Sequence, residues 1–98
     1  RNIKSAIKAR DHYACRCCGA KDGLDVHERK RRGAGGIVSR ANSLTLCRPC
    51  HQMAHGGLIQ IEGRSCDDSL LFTMSQRIAN AVFPYGRIPI RVHVTPSV

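Results

Sequence analysis

Residues 47–55 read "CRPCHQMAH", two cysteines and two histidines within one helical stretch. Cys47 and Cys50 stand as C-x-x-C, and Cys15 and Cys18 repeat that spacing in "YACRCCG" (13–19). Each such loop can deliver two thiolates to one tetrahedral zinc at about 2.3 Å. Four thiolates from two distant loops would therefore close a structural zinc site. The competing readings are reduced buried cysteines or disulfides. Cys17 could replace one partner, but Cys15 with Cys18 makes the better knuckle, because Gly19 can take the turn that follows. Cys66 has no such companion and reads as a bystander.

The need for a staple follows from composition. The chain has 98 residues and apolar residues make up 42%, but there is no Trp and aromatics are 4%. One small domain with a thin core is expected, and such domains lean on disulfides or a metal. No apolar run approaches the roughly 18 residues of a membrane helix, and no signal-type h-region follows the N-terminus. An intracellular, reducing setting is thus expected, and the cysteines read as metal ligands. The formal net charge of +9 calls for a polyanion, with nucleic acid ahead of an anionic membrane surface. A membrane helix would want Trp or Phe beside its Lys and Arg, and that pairing is missing.

Around the cysteines the pattern predicts short elements. "NIKSAIKAR" (2–10) places Ile3 and Ile7 on one face of a basic helix. "LDVHE" (24–28) alternates as a strand, and "SLTLC" (43–47) as a second, with Leu44 and Leu46 in register. Residues 29–41 form a basic loop with glycines. "RPCHQMAH" (48–55) is a helix, with Pro49 in its first turn and Gly56-Gly57 as its stop. "LIQIE" is another short strand. "SLLFTMSQRIANAVF" suits a strand passing into a helix. "RIPIRVHV" alternates with Ile88, Ile90, Val92 and Val94 on one face, and Pro89 marks an edge strand. The motif-bearing part is 1–63; residues 64–98 read as an extension packed on the same domain.

His51 and His55 lie four apart, so both rings project from one helix face. Folding the two knuckles onto one metal carries the His27 strand toward that face and gathers three imidazoles with Glu28. A zinc-protease helix needs H-E-x-x-H, and "HERKR" lacks the second histidine. A nucleobase deaminase needs H-x-E and then P-C-x-x-C, which "PCHQM" does not supply.

"RDHYACRCCG", "LDVHERKRRGAGG" and "NSLTLCRPCHQMAH" together resemble the HNH nuclease family over about half the chain. The shared pattern is a C-x-x-C-G knuckle, a His pair on a strand, a basic glycine loop and an Asn five residues before C-x-x-C-H-x-x-x-H. The R-G-x-G-G form of the loop is similar to phage-type members, so a phage or bacterial origin is expected. The resemblance implies a small α+β, zinc-stabilised ββα-metal (treble-clef-like) domain, here with an N-terminal helix and extra C-terminal strand. It implies a catalytic divalent ion (Mg²⁺, Mn²⁺, Ni²⁺ or Zn²⁺) held by His27, His51 and His55. Asn42 would brace the loop, and Asp25 would orient an imidazole. The chain departs from the family at Glu28, where a histidine normally acts as general base. The carboxylate is a weaker base by its ordinary pKa of about 4.3 against about 6.5. It would serve as a poorer base, act as a metal ligand, or leave the site weakened or dead.

The expected activity is metal-dependent hydrolysis of double-stranded DNA, leaving 5′-phosphate and 3′-hydroxyl ends. Arg29, Lys30, Arg31, Arg32 and Arg48 would hold the backbone with little base specificity, unless the basic run is only a solvated loop. The alternatives are a catalytically silent DNA-binding module of the same fold and a zinc-based protein-interaction domain. Substrate, nicking against double-strand cutting, and oligomeric state, a dimer included, stay open at this level.

Overall fold

Asn2 opens the first helix by accepting the Lys4 N–H on its side chain, and α1 runs Ile3–Arg10. In the computed structural model, which describes residues 2–96, α1 buries Ile7 and leaves Ile3 exposed. The apolar face expected of both isoleucines is thus narrowed to one, as a two-turn helix meets the core only at its C-terminal end. His12 and Tyr13 follow in the left-handed region, at φ 59° and 53°, and turn the chain into the first knuckle.

β1 (Leu24–Glu28) and β2 (Ser43–Cys47) form an antiparallel pair, with Val26 opposite Thr45 and His27 opposite Leu44. β2 is buried at all five positions rather than at alternate ones. The cause is that α1 covers part of it and α2 (Arg48–His55) packs against the same hairpin. Between the strands the basic loop contains a short 3-10 turn, Arg32–Ala34. Gly35 sits at φ 89°, and Gly36 is buried so closely that a Cβ there would overlap the Lys30 carbonyl. Gly35 and Gly36 of "RGAGG" are therefore demanded by the path of the loop.

β3 (Ile59–Glu62) and β4 (Leu71–Ser75) are antiparallel, α3 (Gln76–Val82) follows, and β5 (Val92–Thr95) returns parallel to β4. The strand-into-helix reading of 69–83 matches, with the Ser75 hydroxyl capping α3 through the Ile78 N–H. The strand expected over 87–94 is shorter. Ile90 is fully exposed and Ile88 exposed, so only Val92–Thr95 pairs, at the sheet edge. Pro89 accounts for the late start: it offers no N–H, and its carbonyl accepts instead from Val92 N–H in a turn. Among the described residues the fold is a small α+β arrangement of three helices and two sheets.

Polar struts support this thin core. The Asp11 carboxylate, in a side chain 1% exposed, receives Arg10 on both oxygens (2.8 and 3.0 Å), Arg16 at 2.7 Å and the Thr45 N–H at 2.8 Å. Burial pushes its pKa up, but Arg10, the Thr45 N–H and Arg16 together outweigh burial and hold the carboxyl below its ordinary value. From the far end of the chain, Arg91 donates to the carbonyls of Arg16 (2.6 Å) and Cys17 (3.0 Å), tying residues beyond 63 to the first knuckle.

Asp11→Asn leaves two guanidinium groups facing a neutral amide and is expected to cost about 3–5 kcal/mol at neutral pH. Because the folded-state pKa is depressed, this stabilisation is full above the unfolded value and disappears as pH falls through the folded one. The gap in thermal midpoint between parent and variant should accordingly narrow below about pH 4. A gap independent of pH would exclude the charged contact as its source. Arg91→Ala is expected to lose about 1.5–3 kcal/mol in urea unfolding, through the two orphaned carbonyls.

Candidate metal centre

The first knuckle is shaped by its own main chain. Cys15 N–H donates to the Ala20 carbonyl, Gly19 N–H to the Cys15 carbonyl, and Cys18 N–H to the Cys15 sulfur at 3.4 Å. Gly19 takes φ 84°, the turn a side chain would resist. Arg16 N–H then donates to Thr45 O, docking the knuckle on β2, whose last residue is Cys47. Cys47 is also the N-cap of α2, so the second knuckle forms where strand becomes helix.

The sulfurs of Cys15, Cys18, Cys47 and Cys50 lie within 4.8 Å of one another, and Cys18 and Cys47 approach to 3.6 Å. A tetrahedral zinc with bonds of about 2.3 Å would separate its sulfurs by about 3.8 Å, so the spacing fits. This cluster can hold a structural metal ion such as zinc. Hydrogen bonds from Cys18 and Cys50 pull the Cys15 thiol down; Cys15 in turn pushes Cys18 up to about 12. Cys50 is raised by Cys15, and further by Cys17 and Cys18. One thiolate forms readily and the next ones are opposed by it, a cost that a divalent cation at the centre removes. Cys17 is fully buried beside Cys50 but outside the four. Cys66 is half-buried in the loop before β4, 3.7 Å from the Arg64 guanidinium.

α2 begins on Cys47, and the same helix carries His51 and His55. His51 meets His27 of β1 edge to face, with ring centroids 5.1 Å apart at 73°. Its Nδ1 lies 3.1 Å from Asp25 Oδ2, and Arg48 stands 3.5 Å from the other Asp25 oxygen. His51 first, and then Arg48, keeps the Asp25 carboxyl below its ordinary pKa. Strand alternation explains the grouping, since Asp25 and His27 share the face of β1 turned toward α2. Burial, then His51, His55 and Arg29, lowers the His27 pKa to about 4, against a small upward pull from Glu28. His27 is therefore neutral at physiological pH, with a lone pair to offer a cation. His55 is exposed at the end of α2 and shares an open pocket of about 270 Å³ with His51 and Gln52. His27 touches His51 but lines a separate groove, so the three imidazoles are not gathered as the sulfurs are. Among the described residues, the cysteines alone bring three or more such ligand atoms within 4.8 Å.

Glu28, next to His27, points to the other face of β1, and its carboxylate lies 3.6 Å from Arg32. Asn42 accepts the Lys30 N–H (2.8 Å) and donates to the carbonyls of Lys30 (3.0 Å) and Ile37 (2.8 Å), closing the basic loop across its base. Lys30, Arg31, Arg32 and Arg48 are exposed. Arg29 is engaged otherwise, donating to the carbonyls of Gly63 (2.6 Å) and Ile61 (3.2 Å) and to the Ser65 hydroxyl (3.3 Å). No family model, curated protein or solved structure matches the chain.

The chain is expected to bind one zinc through the cluster, and chelation should unfold it cooperatively, as structural zinc in small domains stabilises by on the order of 10 kcal/mol. Zinc release and far-UV circular dichroism followed together would check this. An unchanged melting curve after complete zinc removal would show that the fold stands without the metal.

Proposed function

We propose that the chain is a metal-dependent endonuclease of the HNH type, acting on DNA, with zinc at the cysteine cluster as its structural staple. The observation that carries this reading is the His27–His51 contact, with Asp25 behind His51, on a hairpin and helix joined at Cys47. Imidazoles backed by a carboxylate form a donor set suited to a divalent ion. His27 and His51 would hold it, and His55 would complete the set by a rotation at the exposed helix end. When bound there, the ion would supply charge neutralisation on the scissile phosphate and the leaving oxygen.

The chain's own groups supply the rest. Asp25 fixes the His51 ring through Nδ1, leaving Nε2 to face outward. Asn42 keeps the basic loop folded so that Lys30, Arg31 and Arg32 extend from a set base toward a DNA backbone. Glu28 would accept the proton from water only by analogy with the family's second histidine, since its carboxylate points to the face of β1 opposite His27. Its 3.6 Å pair with Arg32 competes with that work. The same pair favours a second reading, a DNA-binding module of this fold with weakened or no cleavage.

Plasmid nicking in Mg²⁺, Mn²⁺, Ni²⁺ or Zn²⁺ separates the two. The nuclease reading expects the parent to nick in at least one metal, His51→Ala to lose about 100-fold, and Glu28→His to nick faster. Cleavage by Glu28→His alone would establish the second reading. A His51→Ala variant as active as the parent would end the metal-site assignment.

A further inference from the structure

A groove of about 530 Å³ lies between the loop that follows β1 and the free edge of β3. We propose that it is a phosphate-binding channel for the DNA strand as it leaves the histidine face. The proposal shares with the proposed function only the premise that DNA is the partner, and it does not require cleavage.

His27, Arg29, Lys30, Asn42, Gln60 and Ile61 line the groove, and no carboxylate does. The two nearest acids in sequence are committed elsewhere, Glu28 to Arg32 and Glu62 to the Thr73 hydroxyl at 2.9 Å. Its cations differ in availability. Arg29 lends charge to the wall while its donors hold the carbonyls of Ile61 and Gly63. The Lys30 main chain is clamped by Asn42, and among the described residues no ion pair claims its exposed ammonium.

Among the described residues β3 ends its sheet, so one of its edges is unpaired. The Ile61 carbonyl that Arg29 takes belongs to that edge. In an antiparallel pair a residue's N–H points the same way as its carbonyl, so the Ile61 N–H is a donor toward the groove. Gln60 lies beside it, exposed, its amide N–H₂ donating to the Gly57 carbonyl at 3.2 Å. A main-chain N–H, a free ammonium and a fixed guanidinium, with no acid between them, form an environment selective for a phosphodiester. The volume lies within the range of sites that hold a ligand of nucleotide size, about 300–1,000 Å³. His27 lines the groove and also touches His51, so the channel leads into the candidate metal face.

The test is anisotropy of a labelled short DNA duplex, without added divalent ion, across a salt series. Lys30→Ala is expected to lower the slope of log Kd against log salt by about one, and Gln60→Glu, which adds an acid to the groove, to weaken binding about ten-fold. Thymidine 3′,5′-bisphosphate should shift the amide signals of Lys30, Gln60 and Ile61. The proposal is overturned if Gln60→Glu binds like the parent, if Arg87→Ala at the far-sequence loop weakens binding as much as Lys30→Ala, or if the bisphosphate shifts none of those amides. A parent that binds through the groove but nicks in no metal sinks the nuclease reading alone. A parent that nicks, with KM unchanged in Gln60→Glu, sinks the channel alone.

Discussion

Four sulfurs from two loops 29 residues apart must share one small volume before anything else in this chain can be in place. Cys47 shows why, because it is at once the last residue of β2, the cap of α2 and a member of the cluster. Fixing it sets the angle between hairpin and helix. That angle decides whether the Asp25–His27 face of β1 meets His51. The candidate metal face is thus a geometric consequence of the cysteine cluster, even though no cysteine touches it.

The parts written in local pattern were the readable ones. C-x-x-C spacing, the four-residue step from His51 to His55, and the short alternating strands each depend on a few neighbouring residues. Gly19 was legible as a turn former, whereas only the fold shows that Gly36 is excluded from carrying a Cβ by the Lys30 main chain. The Asn42 clamp was read only by resemblance. The overlong strand over 87–94 has a plain origin: alternation predicts a strand wherever it runs, but pairing requires a partner. Val92 and Val94 found β4, whereas Ile88 and Ile90 precede the paired region and stand exposed.

Most of the partnerships that no spacing could disclose involve arginine. Arg10, Arg16, Arg29 and Arg91 are the half-buried arginines among the described residues, and each donates to two main-chain carbonyls. Seven of those eight links span more than 30 residues of sequence, and Arg91 reaches back 75. A guanidinium suits the task, since its planar fork satisfies two acceptors while its stem covers apolar surface. A chain with no Trp and few other aromatics has little apolar bulk with which to cover loop carbonyls. These arginines do that work in its place, and the thin core inferred from composition is completed by them.

This division alters what the net charge of +9 means. Composition counts every cation alike as bait for a polyanion. All of them contribute to a field that would attract a polyanion from a distance, and that field is screened by salt within about 10 Å. Contact is another matter, because a guanidinium whose N–H groups already hold carbonyls has few left for a phosphate. Arg29 is the clearest case: it lies in the basic run, yet it serves as a strut to β3. Lys30, Arg31 and Arg32, exposed and anchored on the Asn42 clamp, are the members of the run left to make contacts. Of these, Arg32 is drawn toward Glu28, and this carboxylate also draws on the charge beside it. Under the proposed nuclease reading Glu28 would therefore bear on two properties together, the proton-accepting group on β1 and the cation density of the loop. A histidine at that position would change both.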